Sequence, residues 1–147
     1  VTVFDDTLNV FAHQLLETMH SAPGVGITAA HVGRFIRLFV LELPGWSGPR
    51  FYVNPAILEA SSEMIRHTEG SVSMPGATEE VERPRKVRFS FQDLEGRPQE
   101  EMAEDFYAVC VQHEIDQLDG IFWLRRLSRL KRDRLVRKWE KEQSRFH

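Results

Sequence analysis

The chain has 147 residues, 41% apolar and 28% charged, with a formal net charge of −3. Such a length suits one hydrophobic core, so a single domain over residues 1–147 is expected, and the small net charge excludes a whole-molecule preference for nucleic acid or an anionic membrane. A lone cysteine, Cys110, excludes an internal disulfide, and no apolar run approaches the roughly 18–20 residues of a membrane span, so a soluble, cytoplasmic protein is expected.

Asp5 and Asp6 can cap a first helix, in which Leu8, Phe11, Ala12, Leu15, Leu16 and Met19 recur at three- and four-residue intervals. In "SAPGVGITAAHVG", Pro23, Gly24, Gly26 and Gly33 suit a turn, a close backbone approach and a second turn. "FIRLFVLEL", "RFYVNPAILEA" and "EMIRHTEGSVSM" are rich in branched and aromatic residues and read as strands. Val87, Phe89 and Phe91 alternate with polar residues before Gly96, which predicts a half-buried hairpin strand and a return strand. Asp105 is a candidate cap for a central helix that places Phe106, Val109, Cys110, His113 and Gln117 on one face and stops before Gly120. Ser128 opens a last helix, to about Gln143, with Leu130, Leu135 and Trp139 as its few apolar contacts. The basic run from Arg125 to Lys141 reads either as the solvated face of that helix or as a surface for an acidic partner.

The chemistry concentrates at His113-Glu114-Ile115-Asp116-Gln117. Helical spacing sets His113 and Gln117 one turn apart with Glu114 beside them, which is how a helix offers two metal ligands and a base, although a carboxamide stands where a second imidazole is wanted. Alone, such a histidine is more often a hydrogen-bonded core residue than a ligand.

Three segments occur in fixed order: "GVGITAAHVG", "EGSVS" and "QHEIDQLDG". Together they resemble the peptide deformylase family, whose signatures have the forms G-φ-G-φ-A-A-x-Q, E-G-C-φ-S and Q-H-E-x-x-H, with φ apolar. "FYVNPAIL" and "DGIFWLRRLS" extend the resemblance over nearly the whole chain, while a further N-terminal segment of that family is absent from it. The resemblance implies an α+β fold: mostly antiparallel sheets around a central helix of the HExxH type, with a C-terminal helix outside.

It also implies a hydrolase that removes the formyl group from N-terminal methionine, with iron or zinc held by the cysteine of the second signature and both histidines of the third. Residue by residue, the base falls on Glu114 and one metal ligand on His113, while the other two ligand positions carry Ser71 and Gln117. The oxyanion-polarising positions fall on His31 and the backbone amide of Val72. Gly24, Gly26, Ser71 and Thr78 line the implied substrate pocket, where Glu79 and Glu80 add acid or form an exposed loop. Glu69 and Arg83 are the implied pair that holds the loop.

A hydroxyl that stays protonated near neutral pH and a neutral carboxamide are weak ligands for a transition ion. Three readings follow. In the first, the metal site is degenerate: no cofactor is bound there, deformylase activity is small or absent, and the pocket is kept for formylated or other N-terminal peptides. In the second, a divalent ion (iron, zinc or nickel) sits in a site rebuilt around His113 and His31, with His67 as a further imidazole, and Glu114 remains the base. In the third, the basic C-terminal helix, through Arg132, Arg134 and Lys138, contacts the ribosome or an acidic protein. A serine nucleophile at Ser71 is disfavoured because no G-x-S-x-G turn surrounds it.

Overall fold

The structure is a computed structural model that describes residues 1–21, 24–70, 78–121 and 126–144. Its main sheet has five antiparallel strands in the order β1 (Gly26–Thr28), β2 (Leu38–Leu41), β3 (Arg50–Ala60), β6 (Lys86–Gln92) and β7 (Pro98–Glu104). Between β3 and β6 the chain forms a separate antiparallel pair, β4 (Met64–Glu69) and β5 (Glu79–Pro84). Three helices complete it: α1 (Asp6–Ser21), α2 (Asp105–Leu118) and α3 (Arg129–Ser144).

The expected α+β architecture is therefore present, and β2 shows why its sequence is apolar without interruption. Leu38 and Val40 join the cluster under α1 with Leu8, Ala12, Leu15 and Met19, whereas Phe39 and Leu41 join the cluster under α2 with Ala108, Val111 and Ile115. Because alternate residues of a strand point to opposite faces, a strand covered on both sides must be apolar at every position. The β6–β7 end is covered on one side only. Val87, Phe89 and Phe91 are buried, while Arg88 on the other face bridges Glu59 and Glu100 at 3.3 and 2.6 Å. At that end, Tyr52 donates its hydroxyl hydrogen to Tyr107 (2.8 Å), which donates to Glu101 (2.6 Å), joining β3, α2 and β7. Strand β7, "PQEEMAE", forms one edge of the sheet among the described residues.

Several expectations are met by the local geometry. Asp5 accepts from the amide of Leu8 (3.1 Å) and Ser128 from that of Lys131 (3.2 Å), so both act as caps. Gly33 and Gly120 have φ of 79° and 77°, the left-handed turns that glycine adopts without strain.

Other expectations are corrected. The glycine stretch holds a three-residue strand and a 3-10 turn, Ala29–Val32, and is not a run of turns alone. Only Leu38–Leu41 of "FIRLFVLEL" pairs as a strand, and Phe35 is fully exposed. The predicted third strand is ordered as β4 over Met64–Glu69, and its continuation from Ser71 lies outside the described residues. Asp105 does not cap α2. The capping position is Glu104, without a side-chain bond, and Asp105 has φ of 55° with its carboxylate on Arg85 at 2.8 Å. No loop separates β7 from α2, so the chain reverses direction at this one residue, and Asp tolerates that conformation. On α2, every residue from Ala108 to Asp116 is buried, so the apolar stripe gives way to burial all round the helix, while Phe106 at its start is 36% exposed. Leu130, expected to pack, is 65% exposed, and α3 rests on Leu135.

Candidate functional site

Helix α2 passes between the main sheet and the β4–β5 pair, and its polar residues Gln112, His113, Glu114 and Asp116 are buried there. Burying charge is costly unless it is paired. Arg83 on β5 pairs two of the buried carboxylates. Its Nε and Nη2 donate to both oxygens of Glu69, at 2.6 and 2.8 Å, and its Nη1 donates to Asp116 at 2.7 Å. Asp116 receives two further hydrogen bonds, 2.9 and 2.6 Å, from Arg126. Burial alone would raise the Glu69 carboxyl, but hydrogen bonds from His113 and Arg83 outweigh it and hold the group below its ordinary range. The pairing of Glu69 with Arg83 is as expected, whereas Asp116 and Arg126 were not anticipated as members of the network.

His113 is tied at both ring nitrogens. Nδ1 donates to Glu69 Oε1 at 2.8 Å, and Nε2 accepts from Gln117 Nε2 at 3.0 Å. Burial pulls the imidazole pKa down, yet the Glu69 hydrogen bond and the nearby carboxylates lift it above the ordinary value. Glu114 differs from every other acid of the site. It is buried, its Oε2 has no hydrogen-bond partner among the described residues, and burial pushes its carboxyl up to about 7. A carboxyl with that value can take up or release a proton near neutrality, the property a general base or acid needs.

Gly26 is the close approach read from the sequence. A Cβ built on it would lie 2.7 Å from Leu41 Cδ2 and 3.0 Å from Glu114 Oε1. Gly26→Ala is expected to destabilise the protein by about 1–3 kcal/mol, because Leu41, which is fully buried, has to shift within a packed core. Chemical denaturation measures the change, and a loss of less than about half a kcal/mol would show that the strand shifts freely.

The remaining predicted residues are placed unevenly. His31 lies half-buried on the 3-10 turn, its amide bonded to Thr28 at 3.3 Å. His67 shares the inward face of β4 with Glu69, but its ring packs on Phe106, 4.9 Å between centroids, and Nδ1 lies 2.8 Å from the Thr68 carbonyl oxygen. Gly24 and Thr78 are exposed. Ser71 and the amide of Val72 lie outside the described residues. Cys110, one turn before Glu114, is a buried core residue whose thiol burial pushes up to about 12, so it is not a nucleophile.

Among the described residues, no set of donors is arranged for a catalytic divalent ion. Such sites take about three anionic or imidazole ligands. Here the family positions offer one imidazole, an alcohol and a carboxamide, and that carboxamide turns its nitrogen, not its oxygen, toward His113. Among the described residues, no group of three His, Cys, Asp or Glu side chains is placed to hold a metal. No helix among them is long and apolar enough to cross a membrane.

Comparison with known proteins gives a consistent result. The family model described as polypeptide deformylase matches residues 1–133. A protein of Agrobacterium fabrum named peptide deformylase-like is 62% identical over 145 residues, covering 98% of this chain and 87% of that one. Another of the same name, from Rhizobium meliloti, is 60% identical over 138 residues, covering 94% and 80%. Among solved structures, the peptide deformylase of Thermus thermophilus superposes with a TM-score of 0.90 at 37% identity, covering 99% of this chain and 86% of that one.

Proposed function

Because the chain belongs to the peptide deformylase family, we propose that it is a member with a degenerate metal site, which keeps a pocket for peptide N-termini but has little or no deformylase activity. The observation that carries this reading is the chemistry at positions 71, 113 and 117. One imidazole with an alcohol and a carboxamide cannot hold iron or zinc as a thiolate and two imidazoles do. Even the loss of residues that merely support a ligand weakens a metal by about 10- to 100-fold, and here two ligands themselves are replaced. Without a metal, water keeps its high pKa, and a lone carboxylate is a poor means of activating it. The peptide deformylase-like names of the Agrobacterium and Rhizobium proteins are in keeping with this reading.

Glu114 favours a second reading, an active metal-dependent deformylase or related amide hydrolase with a rebuilt site near His31. A buried carboxyl held at about 7, with an oxygen unpartnered among the described residues, is a base awaiting a partner. One experiment separates the two. Protein purified without chelators is analysed for metal and then assayed on a formyl-methionyl peptide with added iron, nickel or zinc. We expect substoichiometric metal and turnover close to the uncatalysed rate. Stoichiometric metal with turnover selects the rebuilt site.

A further inference from the structure

We infer that Gln117 is an active blocker of the metal position and not merely a poor ligand, because its carboxamide fills the one lone pair of His113 that a cation would use. This inference rests on the degenerate-site reading and adds a physical device to it. Glu69 accepts two hydrogen bonds from Arg83 and is ionised, so toward His113 it can only accept, and the imidazole hydrogen therefore resides on Nδ1. In the neutral imidazole, the form that a metal requires, the lone pair is then on Nε2. Turning Oε1 of Gln117 toward Nε2 would set two lone pairs against each other. The amide nitrogen faces it instead, at 3.0 Å, donating a hydrogen. The i, i+4 spacing on α2 holds the two side chains over one another. His113 is thereby saturated at both nitrogens in a buried position, and a cation must break the Gln117 bond before it gains its first ligand.

The test uses cobalt(II) as the probe, followed by its absorption spectrum and by calorimetry. Three variants of the full chain are compared with the parent: Ser71→Cys, Ser71→Cys with Gln117→Ala, and Ser71→Cys with Gln117→His. Alanine contributes no ligand, so any gain of the alanine double variant over Ser71→Cys measures the release of the His113 lone pair. About tenfold tighter binding is expected, the equivalent of one hydrogen bond. Equal affinities in these two variants, including none in either, would overturn the inference. Failure of a folded Ser71→Cys, Gln117→His variant to bind cobalt would instead overturn the degenerate-site reading on which it rests, as would tight cobalt binding by the parent. A second measurement needs no variant to fold. Long-range proton–nitrogen correlation at alkaline pH should show His113 with its hydrogen on Nδ1 and a hydrogen-bonded, unprotonated Nε2. A hydrogen on Nε2 there contradicts the assignment.

Discussion

Replacing Arg83 with methionine is expected to lower stability by about 3–5 kcal/mol, the largest effect of any single substitution in the site. Arg83 is 3% exposed and is the shared partner of two buried carboxylates, Glu69 and Asp116. Methionine matches much of its volume, so the loss is electrostatic: among the described residues Glu69 keeps only the His113 hydrogen bond, and Asp116 only Arg126. The pH dependence should change as well. In the parent the Glu69 carboxyl is depressed, so its contribution to stability is present above its unfolded value, 4.5, and is lost as pH falls through the lower folded value. Without Arg83, burial is opposed chiefly by His113 and the carboxyl rises, so the variant gains relative stability in acid. Urea denaturation across the acid range measures both effects. A midpoint within about half a kcal/mol of the parent, with the same slope against urea, would mean that the network contributes no net stability.

The second large effect concerns Glu114 in the metal-free protein and has the opposite sign. Its folded carboxyl is raised from 4.5 to about 7 by burial, so the folded state holds a proton that the unfolded chain has already released. Its contribution to stability therefore falls as pH rises through this window and is flat above it, by up to about 3 kcal/mol in total, while the raised imidazole of His113 adds a further loss above 6.5. Glu114→Gln keeps the shape and removes the charge. The variant should match the parent near pH 4.5, exceed it by up to about 3 kcal/mol above 7, and show a shallower slope between, with only the His113 contribution left. The Glu69 window lies below 4.5 and the Glu114 window above it, so the two do not mask each other. A parent whose stability is constant across the upper window would show that Glu114 is ionised in the folded protein and has found a donor. Unlike Arg83, then, Glu114 is kept at a cost in stability, which is the usual mark of a group retained for binding or chemistry.

How far the sequence could be read depended on the range of the interaction. Helix α1 and the β6–β7 hairpin were legible because their apolar periods run over 16 and 7 residues and set the faces directly. Strand β1 was not. Three residues carry no period, and its pairing with Leu41, Val40 and Phe39 is decided by tertiary contact. Asp105 misled because an acid before an apolar run signals a cap, whereas here it turns the chain and answers Arg85. In the site, His113, Glu114 and Gln117 were visible through helical spacing, and Glu69 with Arg83 through family resemblance. Asp116 and Arg126 were missed, since Arg83 and Asp116 meet across 33 residues and no local pattern foretells it. The one available signal was that Asp116 follows His113 by three positions, on the same side of the helix.

Strand β7 has a consequence for how copies of this protein coexist. Its outer backbone amides and carbonyls form a template onto which another strand can zip, and Glu100, Glu101 and Glu104 along "PQEEMAE" line that margin with carboxylates, two of them paired with Arg88 and Lys86. Charged side chains along an edge disfavour such pairing, and replacing them with neutral residues would open the way to edge-to-edge aggregation.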